Sequence, residues 1–390
     1  MNWMKTTKHL LSPVVIALTI LIFTACQGTV EIPEMQGRIS TAQDSVFLVM
    51  DDSTLLGWGT GFFGDGLWRD ASTQVFYPMH VMDNISSVSN NIFNVLVINN
   101  DGELWTMGRG FLGDGQNRIW WEEAELYPAF IMDDVVAASS DGSITAAITS
   151  DNGLWIWGSG FLGDGSHWRS DDEAQLTPIR IMDDVIAVAI QSSTLGMAVT
   201  SDGGLWAWGI GLFGDGELRG WEDAALTPIR VMDNVINISV EFNKTMIITD
   251  DNELWAWGAG GFLGNREWRD VNVSNFDNAR LTPVHILDDI VSISTSPTNA
   301  MAVKSDGSLW AWGAGILGDG KDYSWENAQL APIHIMDNVA VVSTSGNDTI
   351  AITTDGKVWT WGLSHRLGDG SFTDRLYPGH IMNIDGSPLN

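Results

Sequence analysis

One short phrase governs what this chain can fold into. Leu-Trp-Ala-Trp-Gly, with small changes, returns seven times along 390 residues. Its last residue falls at Gly59, Gly108, Gly158, Gly209, Gly258, Gly313 and Gly362, at intervals of 49, 50, 51, 49, 55 and 49 residues. A proline keeps the same beat at Pro78, Pro128, Pro178, Pro228, Pro283, Pro332 and Pro378. A single hydrophobic core stops growing at about 250–300 residues, and periods of 20–50 residues mark solenoids, propellers or arrays. The length is therefore spent on copies of one unit.

The fourth unit shows what the copy is. Val185 to Ala189 and Gly196 to Thr200 read as two strands, Asp202-Gly203 as a tight turn, and Leu205 to Trp208 as a third strand. A glycine-rich turn and a polar loop follow. Pro228 to Met232 reads as a fourth strand, with proline at its first position, where a missing N–H does little harm. Four short strands per unit, with no helical period, make a propeller blade. The expected fold is all-β, a seven-bladed propeller over residues 37–383 with a tail at 384–390. Counted back from Gly59, Arg38 to Ala42 holds the place that Ser292 to Ser296 holds before Gly313. The last unit stops after Tyr377 to Met382, short of another Val-rich strand. The N-terminal strand is therefore expected to complete the last blade and close the ring.

The Trp-Gly, a Leu-Gly-x-Gly turn, a Pro-x-x-Val-like strand and a Thr-Ala-Ala-Ile-Thr-Ser-Asp-Gly-like hairpin recur in this order. Leu367-Gly368-Asp369-Gly370-Ser371-Phe372-Thr373-Asp374-Arg375-Leu376-Tyr377-Pro378 is the fullest example. The pattern resembles the regulator of chromosome condensation repeat family over about residues 37–383. The resemblance implies a seven-bladed propeller and a protein-interaction platform. The family's best-known member is a nuclear exchange factor for a small GTPase that also binds nucleosomes. Trp312 to Gly318 lacks the family's usual Asn-x-x-Gly-Gln insert, which marks a divergent branch. A kelch-type propeller is the architectural runner-up, but its Gly-Gly doublets are missing at the regular positions.

The first residues read as an address. Lys5 and Lys8 precede an apolar run from Leu10 to Phe23, and Phe23-Thr24-Ala25-Cys26 follows. This is the order of a secretory signal, and the run is shorter than the ~20 residues of a spanning helix. The only Cys of the chain ends this segment. It resembles a bacterial lipobox, with Phe23 where Leu is usual, so residues 1–26 are expected to be a lipoprotein signal with Cys26 lipidated. The alternative is an ordinary signal peptide of a secreted protein. Residues 27–36 read as a tether. A single Cys excludes an intrachain disulfide framework. The formal net charge is -30, from 19 Lys+Arg against 49 Asp+Glu, and becomes -32 without Lys5 and Lys8. Such acidity argues against nucleic acid as a partner and, with the export signal, against nuclear exchange.

Candidate sites lie on the repeat. Twelve of the 20 Trp fall on third strands and read as packing between blades. Seven fall in the loop after the Gly-Asp-Gly turn: Trp68, Trp120, Trp121, Trp168, Trp221, Trp268 and Trp325, with Phe372 in the last unit. Carboxylates and Arg accompany them. They either pin their loops or form a rim that stacks on sugars or holds cationic peptide; Trp68, Trp121, Trp168, Trp221, Trp268 and Trp325 are the candidate ligand contacts. Asp65, Asp114, Asp164, Asp215, Asp319 and Asp369, with Asn265 in the fifth unit, read as turn formers. Two residues after each proline stand His80, Phe130, Arg180, Arg230, His285, His334 and His380, too dispersed to share a metal. The fifth unit carries an insertion, Asp270 to Asn278, and loses its Gly-Asp-Gly turn.

No cofactor or metal is expected, and no unique acid, base and nucleophile set stands out. The expectation is an exported, monomeric, non-catalytic scaffold, anchored to the outer face of the bacterial membrane by lipid alone. Its partner would be a protein, a peptide or a cell-envelope glycan. A carbohydrate-binding module using the loop Trp is the alternative; a glycan-active enzyme or an exchange factor is less favoured.

Overall fold

A computed structural model describes residues 37–42, 45–168, 171–191, 193–259, 262–267, 278–381 and 389. The described chain forms seven four-stranded antiparallel sheets, each from one continuous stretch of sequence. Among the described residues the helical segments are single 3-10 turns such as Trp121–Glu123 and Trp325–Asn327.

The fourth blade shows the plan. Its strands are Val185–Gln191, Leu195–Thr200, Leu205–Gly209 and Ala225–Met232, in that order across the sheet. The second strand is wholly buried and the first is half-buried. First strands of successive blades touch one another all the way round, so they surround the axis. The fourth strand begins earlier than its proline suggests. Pro228 sits inside it, where the register shifts between the pairs Ala207↔Ile229 and Gly209↔Ala225. The strand is the sheet's outer edge, and an irregularity there spares the ladder a donor it lacks.

Packing lies between blades. Each of seven apolar clusters joins two neighbours, as Met197, Val199 and Phe213 join Ile247 and Trp257. In Leu-Trp-Ala-Trp-Gly the second Trp is the wedge: Trp58, Trp157, Trp208, Trp257, Trp312 and Trp361 are the largest fully buried side chains. In four blades its indole N–H reaches back to a carbonyl of the preceding blade, from Trp157 to Phe111 O at 3.0 Å, Trp208 to Phe161 O at 3.1 Å, Trp257 to Leu212 O at 3.0 Å and Trp58 to Arg366 O at 2.8 Å. The glycine that follows takes φ of +121° at Gly158, where a Cβ would strike Ser143 O. That is why the phrase must end in glycine.

The Gly-Asp-Gly turn is a second tie. Its last glycine donates to the next blade's fourth strand: Gly66 to Leu126 O at 3.1 Å, Gly115 to Leu176 O at 3.0 Å, Gly165 to Leu226 O at 2.9 Å. The fifth blade lacks this glycine, yet Arg266 adopts φ +67° and donates to Leu330 O at 2.9 Å.

Ring closure differs from the expectation. Ile39–Thr41 pairs with Ser45–Val49 in the first sheet, and the last blade completes itself with Val339–Ser345, Asp348–Thr353, Val358–Gly362 and Arg375–His380. Among the described residues no strand is exchanged between the first and last blades. The seam between first and last blades is closed by the same ties as the other interfaces. Gly370 N donates to Phe76 O at 3.1 Å, and Val46, Leu48 and Trp58 pack on Val341, Ile350 and Ile352.

Candidate functional site

The register of each blade puts three elements at one end of the propeller: the end of the first strand, the start of the second and the end of the third. In the fourth blade Gln191 pairs with Leu195, and Leu195 with Gly209. The aromatic loop leaves from that same end. Loop Trp residues and the axial opening therefore share a face, called here the funnel face. The other end carries the turns between second and third strands and the links between blades, and is called the turn face.

The axial opening holds a cavity of about 620 Å³ lined from all seven blades. One repeat position rings it: Ala42, Asn91, Asp141, Gln191, Glu241, Ser296 and Ser345. Scaffold positions repeat from blade to blade, and this one changes. Asp141 is structural as well as exposed to the cavity. Its Oδ1 accepts from Ser143 N at 2.8 Å and Ile144 N at 2.7 Å, and its Oδ2 accepts from Ser193 N of the next blade at 2.6 Å. Burial raises its pKa against these hydrogen bonds. Burial also raises that of Glu241, with Lys244 opposing the shift and Asp141 adding to it. Lys244 is 2% exposed, and burial lowers its pKa to about 7, opposed by Glu241. Across the opening, Arg366 pairs with Asp348 at 2.5 Å.

The loop Trp residues fall into two positions rather than one. Trp68 and Trp168 lie on small hairpins that return against Gly61–Phe62 and Gly160–Phe161. Trp168 is half-buried, and its indole donates to Asp164 Oδ2 at 3.1 Å. Trp121, Trp221 and Trp325 lie further on and lean on a phenylalanine of the preceding blade. Their ring centroids are 6.2 Å from Phe62, 5.5 Å from Phe161 and 5.1 Å from Phe262. Trp121 also meets Trp68 at 5.0 Å and the Arg109 guanidinium at 3.9 Å. Trp221 meets His167 at 5.2 Å, and His167 stacks on Phe161 at 4.1 Å. These rings clasp blades and still face solvent: Trp121 is 46% exposed and Trp221 66%. Trp120 is exposed without such a clasp. Trp268 and the insertion up to residue 277 lie outside the described residues, as does Cys26.

The Asp of each Gly-Asp-Gly turn braces its own loop. Asp65 accepts from Arg69 at 2.5 Å, which holds its carboxyl below the usual range. Asp114 and Asp215 pair with Arg118 and Arg219 at 2.7 Å, and Asp319 accepts from the Tyr323 hydroxyl at 2.7 Å. Burial and this bond push the tyrosine up to about 12.

The residues two after each proline cap the first Trp of their own blade. Phe130, His285, His334 and His380 lie edge-on to Trp105, Trp255, Trp310 and Trp359. Arg230 bridges Asp202 and Asp233 at 2.7 Å each, and His80, His285 and His334 each meet an Asp three residues on at 2.8 Å. Glu253, His285 and Asp288 bring ligand atoms within 4.8 Å of one another. They are already engaged, Glu253 by the Trp255 indole at 3.0 Å and His285 by Asp288.

Sequence reasoning passed over the funnel ring. The signal was present: six of its members stand at the same step after the start of each first strand, and only there do neighbouring units read Asn, Asp, Gln and Glu in turn.

Comparison with solved structures places the fold. Prp20p from Saccharomyces cerevisiae, described with its binding to Gsp1p and histones, superposes with a TM-score of 0.71 at 20% identity, over 92% of this chain and 90% of that one. Yeast RCC1 (Prp20) bound to Kap60 gives 0.66 at 18% identity, over 98% and 92%. Human WBSCR16 gives 0.66 at 18% identity, over 86% and 95%. The chain shares the fold of these propellers. No family profile matches the sequence, and no curated protein sequence matches it.

Proposed function

We propose that this chain is an exported, lipid-anchored propeller of the RCC1-repeat kind that holds a protein or peptide on its funnel face, without catalysis. The observation that carries this reading is the coincidence on one face of a polar axial cavity, whose lining changes from blade to blade, with half-exposed aromatic rings around it. Constant positions build the ring, and the varying ones give it something to recognise. The yeast propellers of the same fold are described with bound proteins, which supports a scaffold role. Residues 1–26 support export and attachment at Cys26.

Crosslinking on intact cells followed by mass spectrometry tests the binding role. One partner, lost when Trp121 and Trp221 are both changed to Ala, is the expected result; labelling of neighbours that ignores these changes sinks it. Cys26→Ser is expected to release the protein from the membrane fraction. The glycan reading keeps one observation in its favour: Trp221, His167 and Glu222 line an open aromatic pocket of the kind sugar rings stack on. Titration with cell-wall polysaccharides separates the two, since a scaffold for protein gives no saturable signal with any glycan.

A further inference from the structure

We propose that the aromatic corner between the third and fourth blades, built by Phe161, His167 and Trp221 and lined also by Glu222, receives the guanidinium of an arginine side chain on a bound peptide. The proposal rests on the scaffold reading above and names what the partner must present.

The repeat supplies its own comparison. In the small hairpins Phe62 pairs with Trp68, and Phe161 pairs with His167. Each pair meets the later Trp of the following blade. Trp121 stands 6.2 Å from Phe62 and 5.0 Å from Trp68; Trp221 stands 5.5 Å from Phe161 and 5.2 Å from His167. The two corners are one construction, two blades apart, and they differ in what covers the Trp. In the second blade Arg109 follows the Gly108 that ends the third strand. Its guanidinium lies 3.9 Å over the Trp121 ring and 4.4 Å over Phe93, and its Nη1 donates to Ile119 O at 3.1 Å. Ile210 holds the same step after Gly209. Among the described residues no Lys or Arg lies over the Trp221 ring.

The second blade thus fills its corner from its own chain, and the fourth leaves the place open. Trp221 is 66% exposed against 46% for Trp121. It borders a hollow of about 690 Å³ with His167 and Glu222, over an apolar side of Phe161, Ala224 and Leu226. The Glu222 side chain makes no hydrogen bond or ion pair among the described residues. A guanidinium suits both features: its plane stacks on the negative face of an indole, and its N–H groups fork onto a carboxylate. Leu226, 40% exposed, offers cover to the methylene stem. An anion would meet the Glu222 charge and the negative ring faces together. A sugar would stack on Trp221, yet its hydroxyls need several placed polar groups. The polar side-chain atoms of the lining are those of Glu222, His167 and the Trp221 indole.

The test follows the Trp221 indole N–H resonance in the full chain with 15N-labelled Trp, assigned through Trp221→Phe. Acetyl-Gly-Arg-Gly amide is expected to move it saturably, and the isosteric citrulline peptide is expected to leave it still. Glu222→Gln should weaken the arginine peptide about fivefold. Ile210→Arg copies the second blade, so it should shift the resonance without peptide and abolish the response to it. Should Ile210→Arg fail to fold, Glu222→Gln and the citrulline peptide decide. Equal response to arginine and citrulline, or none to either, overturns the proposal. A saturable response to chitotetraose in place of the arginine peptide overturns it too and gives the corner to glycans. The scaffold reading is scored separately by crosslinking. A crosslinked partner that persists while the arginine peptide does not bind removes the arginine site alone, and the converse removes the scaffold alone.

Discussion

The two faces of the propeller join neighbouring blades in different ways. On the turn face, backbone bonds run beside the covalent link: Val235 N to Gly203 O at 2.9 Å, and Ser201 N to Asp184 O at 2.8 Å. Side chains there act within one blade, as Arg180 does with Asp151 and Asp183. On the funnel face, the indole and Gly-Asp-Gly ties pass between blades without following the link, and they recur at the seam where no link exists. The lesson is that this face carries the ties that need no covalent link together with a ring position, from Ala42 to Ser345, that changes from blade to blade. The Asp-dense turn face joins blades beside their covalent links, and its exposed carboxylates mostly meet solvent.

This contrast can be broken, beginning with the largest effect. Trp257→Ala should cost about 3–5 kcal/mol, read as a fall in denaturant midpoint, because it empties an interface and orphans Leu212 O. A loss near that of an exposed residue would mean that the wedges do not hold the ring.

Lys244 comes next. Its folded-state pKa of about 7 lies below the 10.5 of an unperturbed lysine. Between those values the unfolded chain binds one proton more, so stability rises with pH across that window, at most about 1.4 kcal/mol per unit. Lys244→Met should flatten that rise in thermal midpoint, and an unchanged slope would place the charge elsewhere.

Gly370→Ala and Gly66→Ala come third. Both glycines have φ of +72° to +84° and would meet a tyrosine hydroxyl of the next blade, Tyr77 or Tyr127. Each should cost about 1–2 kcal/mol for the left-handed backbone alone. Equal losses sharpen the view that the seam is an ordinary interface, and a much smaller loss at Gly370 refutes it. The smallest effect belongs to the turn face. Arg230→Ala breaks exposed ion pairs with Asp202 and Asp233 and should move the thermal midpoint within error, with any residue of effect lost at high salt.

The period of the Trp-Gly phrase was enough to count blades, because a repeat that cannot bury its own faces must stack. Closure was not legible, because a periodic string does not say which four consecutive strands share a sheet. The pairing Ile39↔Leu48 settles that. The place of Pro228 was misread for a related reason: an edge strand tolerates proline at an irregularity, so its start cannot be taken from the proline. At the site, the conspicuous Trp drew the eye to the rim. Gln191 and Glu241 were inconspicuous because a lone polar residue at a strand end looks like any turn, and only the ring brings seven such ends together.

Because every sheet is one uninterrupted segment, each connection between blades, such as 232–235, can be cut without dividing any sheet. The molecule is in effect a string of cassettes. New chain ends can be placed at any of these joints, and whole units can be spliced in or out, with the number of copies setting the bore of the opening rather than the integrity of its walls.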